Sequence, residues 1–186
     1  PEPVAVLKQV PARLAADGSS LDRSTWLGGS GPGDDAAWGE AALPDGGVTL
    51  VGETQSVDFP VRDPLQAGLA GQRDLFVSVL APSMSEMTFG TLLGGSRGDP
   101  ARMGTSRSGL ADRQLRPEVA SDRNGALLLA ADILSPDFPT PNARFPAFPG
   151  VLGAIAVKIG AQAPKAPEPA PCGYVTKRVP PAVIAD

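Results

Sequence analysis

The sequence predicts an all-β chain. Three observations carry that expectation: short apolar segments of strand length, turn dipeptides between them, and an internal repeat that returns the same segments in the same order. Leu27-Gly28-Gly29-Ser30 comes back as Leu93-Gly94-Gly95-Ser96, 66 positions later, and the same offset lays residues 10–14 on 76–80. Further along the offset is 79. It lays Asp45-Gly46 on Asn124-Gly125, residues 48–51 on 127–130, Asp58-Phe59-Pro60 on Asp137-Phe138-Pro139, and 75–80 on 154–159. The difference of 13 residues places an insertion between Ser96 and Asn124.

Residues 1–9 begin Pro-Glu-Pro and turn apolar at Val4, which reads as an edge strand or an anchoring arm. Residues 10–14 and 22–27 flank Asp17-Gly18, a hairpin signal because glycine tolerates the positive φ that such turns need. Pro11 pushes its strand toward a sheet edge. Residues 28–33 are a glycine loop around Pro32, followed by Asp34-Asp35. Residues 36–43 and 48–52 form a second hairpin about Asp45-Gly46. In it Trp38, Glu40 and Ala42 share one face, and Gly39 and Gly52 predict a bulge or a close backbone approach.

Residues 53–73 form a long connection, with Phe59 as its expected plug. Residues 74–80 and 88–93 repeat the first hairpin, and 97–117 carry the Arg-rich insertion. Residues 118–121 and 126–132 make a fourth hairpin about Asn124-Gly125. A loop over 135–149 holds Phe138, Phe145 and Phe148, and 151–159 read as the last strand. From Gly160 the chain becomes a Pro-rich spacer, which spans about 3.1 Å per residue when extended as polyproline II.

At 186 residues the chain is long enough for one ordinary core. Its 22 glycines and 21 prolines leave much of it to turns and connections. A formal charge of −4 gives no footprint for nucleic acid. With no histidine, His-based triads and His metal sites are excluded, and with one cysteine, Cys172, there is no internal disulfide. No apolar run is long enough for a transmembrane helix.

In order, Ser24-Thr25-Trp26-Leu27-Gly28-Gly29-Ser30-Gly31, Asp34-Asp35-Ala36-Ala37-Trp38-Gly39, Asp45-Gly46-Gly47-Val48-Thr49-Leu50-Val51-Gly52-Glu53-Thr54 and Asp58-Phe59-Pro60 resemble the bacterial SBBP repeat, named for seven-bladed β-propellers. The resemblance covers residues 10–159, and its second copy departs from the pattern at Arg97-Gly98-Asp99-Pro100. It implies a four-stranded blade per copy, an extracytoplasmic location and a binding or structural role, and it brings no catalytic residues. Propellers close with about four to eight blades, so two copies make no ring. Two blade-like antiparallel sheets, each with an apolar face to bury, are expected to pack as a β-sandwich; the alternative is a fragment of a β-propeller. The expected organisation is an arm over 1–9, a β-rich domain over 10–159 and a Pro-rich arm over 160–186. The repeats within that domain run over 10–75 and 76–152, with a third starting at 153–159.

Candidate sites are few. The glycine loop at 28–33 lacks the lysine and the following helix of a phosphate cradle and reads as a turn. Asp34 and Asp35, with Glu40, offer carboxylates for Ca²⁺ but no complete loop, and turn capping is the expected role. Asp34 with Asp58 is the pair a carboxylate-based hydrolase would use. Arg97-Gly98-Asp99 spells an adhesion tripeptide, and Trp26 and Trp38 are expected in the core rather than as a carbohydrate platform. Cys172 is expected as a free thiol.

The expectation is therefore a non-enzymatic structural or interaction subunit outside the cytoplasm, with no cofactor and no metal. Its partners are other protein subunits of a larger complex, such as a bacterial membrane electron-transfer or photosynthetic assembly. Docking is assigned to the C-terminal arm through Pro167, Pro169, Pro171, Cys172, Tyr174, Val175, Val183 and Ile184. The alternative is a polysaccharide-binding fragment of a larger β-propeller.

Overall fold

Four tight turns of one geometry fold the chain back on itself. In each, an amide bonds to the carbonyl three residues earlier: Gly18 to Ala15 at 2.8 Å, Gly46 to Leu43 at 2.9 Å, Met84 to Ala81 at 2.8 Å and Gly125 to Asp122 at 3.0 Å. All four donors have positive φ, between 55° and 88°. Glycine takes that conformation without strain, and Met84 is the one position where a side chain must accept it. Asp17, Asp45 and Asp122 brace their turns by accepting the amides of Ser19, Gly47 and Asn124.

A computed structural model describes residues 10–31, 33–100, 116–144 and 152–160. They form nine strands and no helix: β1 (Ala12–Leu14), β2 (Leu21–Ser24), β3 (Asp35–Ala42), β4 (Val48–Thr54), β5 (Asp74–Leu80), β6 (Met87–Leu93), β7 (Glu118–Ser121), β8 (Leu127–Ile133) and β9 (Gly153–Ile159). All strand pairs are antiparallel, in sheets ordered β1-β2, β3-β4-β5-β6 and β7-β8-β9. The fold is all-β, as expected, and the four hairpins fall within three residues of their expected bounds. The offset of 79 carries β4 onto β8 and β5 onto β9 without a residue's error at either end.

The four- and three-stranded sheets pack face to face. Val51, Leu75, Val77 and Leu93 of the first meet Leu127, Leu129, Ala131 and Ile133 of the second, with Phe138 closing one end. β3 and β7 lie closest. A Cβ on Gly39 would stand 3.0 Å from the Pro117 carbonyl, and Ser121 Oγ donates to the Ala42 carbonyl at 2.6 Å. The opposite face of the four-stranded sheet buries Leu50, Phe76, Leu80 and Leu92 under Leu27, Phe59 and Met84. The β1-β2 hairpin leans on that side, where Arg13 and Arg23 donate to the carbonyls of Pro82 and Ser83.

Burial follows from this layering. β5 is buried at six of its seven positions, because both faces of its sheet are covered. β8 alternates buried and open residues, because only one face of its sheet is covered. Each large sheet also draws on two successive sequence copies: β3 and β4 belong to the first copy, β6 to the second. The bulge expected at Gly39 is present. The register of β3 on β4 shifts between Ala37 and Gly39, so Trp38 stands out of the ladder.

Candidate functional site

The polar residues of the chain converge on one arrangement, built twice. After β2 and after β6 the chain reaches Leu-Gly-Gly-Ser, and the second glycine and the serine turn their amides toward carboxylates. In the first copy Gly29 N donates to Asp35 Oδ2 at 2.9 Å, and Ser30 N donates to Asp58 Oδ2 at 2.8 Å. Ser30 Oγ bonds to the same oxygen. In the second copy Gly95 N donates to Asp99 Oδ2 at 3.0 Å, while Ser96 N and Oγ donate to Asp137 Oδ1 at 2.9 and 3.0 Å. A Cβ on Gly29 would lie 2.5 Å from Ser56 Cβ, and one on Gly95 2.5 Å from Ser135 Cβ. Only glycine fits at either place. Each Leu-Gly-Gly-Ser thereby fastens the end of one sheet to the Asp-Phe-Pro turn of the next.

Asp35 and Asp99 are fully buried at the centre of these clasps. Asp35 also accepts Thr54 Oγ1 at 2.5 Å and Ser56 Oγ at 3.0 Å. Asp99 accepts the amides of Leu134 and Ser135 at 2.8 and 3.2 Å. Buried carboxyl groups are tolerated when their hydrogen-bonding capacity is filled in this way. A third buried carboxylate, Asp74, accepts Gln66 Nε2 at 2.6 Å and the Ala70 amide at 2.7 Å. The Gln66 side-chain oxygen Oε1 in turn accepts Gly94 N, which ties the long connection to β5 and β6.

The sequence-derived candidates separate clearly. Asp34 is exposed while Asp35 beside it is buried, so adjacent carboxylates have different roles. Asp58 is bound by Ser30 and spent on a clasp. Among the described residues no group of three His, Cys, Asp or Glu side chains is placed to hold a metal. The tripeptide at Arg97 has its Asp99 carboxylate inside the protein and cannot be read as an exposed adhesion loop. The loop at 28–33 aims amides at internal carboxylates, which occupy the place an external anion would take.

Trp26 corrects an expectation. It is 75% exposed, because its neighbour Leu27 takes the inward position and side chains alternate along an extended chain. Trp38 is half-buried, with the Arg116 guanidinium 4.5 Å above its ring. The arm residues Pro167, Pro169, Pro171, Cys172, Tyr174, Val175, Val183 and Ile184 lie outside the described residues, as do Phe145 and Phe148. The sequence reading missed the roles of Asp99, Ser56 and Ser135. Their signal was available: Ser56 and Ser135 stand 79 apart, in register with the other matches.

No family model matches the sequence, and neither does any curated protein.

The two clasps respond to pH in the same direction, and Asp74 responds in the opposite one. Ser30 hydrogen bonds hold the Asp58 carboxyl below its usual range, and Ser96 does the same for Asp137. A lowered folded value means stability that is present above the ordinary carboxylate range and is lost as pH falls through the lowered value. Burial pushes Asp74 up, so its contribution is present at low pH and lost as pH rises through the raised value. The melting temperature is expected to fall on acidification below about pH 5. The fall should be shallower in the Asp58→Asn, Asp137→Asn double variant. An acid limb unchanged by that double substitution would show that the clasps carry no linked protons.

Proposed function

We propose that the chain is a non-enzymatic structural or interaction subunit that works outside the cytoplasm and docks onto a larger protein assembly through its extended arms. The observation that carries the reading is the use made of the carboxylates. Asp58, one of the pair a hydrolytic reading would draw on, and Asp35, Asp99 and Asp137 are each bonded to amides or hydroxyls of the chain itself. Together they hold sheets in a row, and surfaces are what such a row offers. The resemblance to the SBBP repeat supports the extracytoplasmic placement. The Pro-rich composition of 163–171, followed by Cys172, Tyr174 and Val175, supports docking through that segment.

Native mass spectrometry of material isolated from its source tests this reading. The chain should be recovered inside a larger complex, and truncation after Gly160 should release it. A truncated chain that stays in the complex overturns docking through the C-terminal arm. Recovery of the intact chain only on its own overturns the subunit reading.

Trp26 favours a second reading, in which the chain is a polysaccharide-binding piece of a larger propeller, because an exposed indole is a stacking platform for sugar rings. Titration with oligosaccharides, followed by Trp fluorescence in the wild type and in Trp26→Ala, separates the two. A saturable change lost in the variant would favour binding of sugar.

A further inference from the structure

The two large sheets stack face to face with the β1-β2 hairpin beside them, and among the described residues two faces of this row carry no further sheet. Offset arithmetic identifies both. On the four-stranded sheet the face turned toward β1-β2 buries Phe76, Leu80 and Leu92, with Met87 packed against them. Their counterparts 66 residues earlier are Val10, Leu14, Trp26 and Leu21. These four are 47%, 62%, 75% and 58% exposed. They are the head of the row: a face that is core in the next copy and uncovered here.

The tail is the outer face of β7-β8-β9. On the four-stranded sheet the corresponding face presents Thr49, Val51, Leu75 and Val77, all buried. Val51, Leu75 and Val77 lie in the core shared with β7-β8-β9. Their counterparts 79 residues later are Leu128, Ala130, Ala154 and Ala156. Leu128 is 50% exposed, and the three alanines are exposed as well. Leu128 is more apolar than the buried Thr49 it corresponds to, which is the reverse of what a permanently wet face requires. Around it a shallow groove of about 450 Å³ runs over Ala120, Leu128, Ala130 and Ala156, with Glu118 and Lys158 at its sides.

We propose that head and tail mate between copies of this chain. The tail of one copy covers the head of the next, which continues the packing already present between the two large sheets. Such a contact is heterologous, and it generates a closed ring or an open row rather than a two-fold dimer. The pairing uses neither arm, so the fate of the docking reading above does not decide it.

Native mass spectrometry and light scattering of the 186-residue chain, from low micromolar concentration to the solubility limit, test the proposal. Wild type should form dimers and larger species in steps of 18.9 kDa. Trp26→Glu and Leu128→Arg should each be monomeric alone. Mixed in equal amounts they should give a dimer and nothing larger, because each blocks one end and leaves the other competent. Both positions are exposed, so unchanged melting curves certify the fold, and Leu14→Glu with Ala156→Arg serve as a second pair. A wild type that stays monomeric throughout overturns the proposal. So does an association that Leu128→Arg abolishes and Trp26→Glu leaves intact, which would be tail to tail.

Discussion

Asp99→Ala is expected to destabilise the chain by about 3–5 kcal/mol, read from urea unfolding. The carboxylate is fully buried and accepts three amides, those of Gly95, Leu134 and Ser135. Alanine supplies no acceptor, and each orphaned buried donor costs about 1–3 kcal/mol. The loss also removes a negative charge that acts on Arg73, a cation whose guanidinium is pushed down by burial and supported by Asp99. Arg73 keeps an ion pair with Glu53 at 3.5 Å. Asp35→Ala should cost a similar amount, because Asp35 holds Gly29, Thr54 and Ser56 in the first clasp. The control is Asp34→Ala. Asp34 is exposed, and its removal should stay within about 0.5 kcal/mol of wild type. Equal losses for Asp34 and Asp35 would refute the assignment of the clasp to the buried member of the pair.

Asp99 also shows where the sequence stopped being readable. The repeat was aligned by offset, and Asp35 lies six residues after Gly29 while Asp99 lies four after Gly95. A loop shortened by two residues removes the match by position but keeps the match by role, since both carboxylates receive the same glycine amide. The segment at Arg97 therefore looked eroded when its decisive residue was present. Trp26 was misplaced for a related reason. A hydrophobic residue in an extended segment lies on one of two faces, and one position of parity separates Leu27 in the core from Trp26 in water.

What was legible rested on local rules. Asp17-Gly18, Asp45-Gly46 and Asn124-Gly125 sit at turns whose glycines adopt the positive φ that marks such pairs. Phe59 was readable as a plug because a long connection between strands needs an anchor, and it is buried. The sharing of each large sheet between two sequence copies was not legible. β5 pairs with β4 on one side and β6 on the other, and no periodicity within a copy states which neighbour a strand will choose.

The second large effect expected is at Phe76, where replacement by Ala should cost about 3–5 kcal/mol. Phe76 is fully buried in the centre of the four-stranded sheet, and its ring stacks on Phe59 with centroids 4.6 Å apart and planes 29° from parallel. Deleting it forfeits the transfer energy of the ring and leaves a void bounded by Leu50, Leu80 and Leu92. A double-mutant cycle with Phe59→Ala should return a coupling of about 0.5–1.5 kcal/mol for the stacked pair. The counterpart of Phe76 in the copy that follows is Ile155, on an edge strand and only half-buried. Ile155→Ala should cost less, about 2 kcal/mol, the low end for an aliphatic truncation. Two positions that the repeat makes equivalent would then differ because one sheet is covered on both faces and the other on one. If the two substitutions cost the same, coverage by neighbouring sheets is not what sets stability in this chain, and the layered account of its core fails with that result.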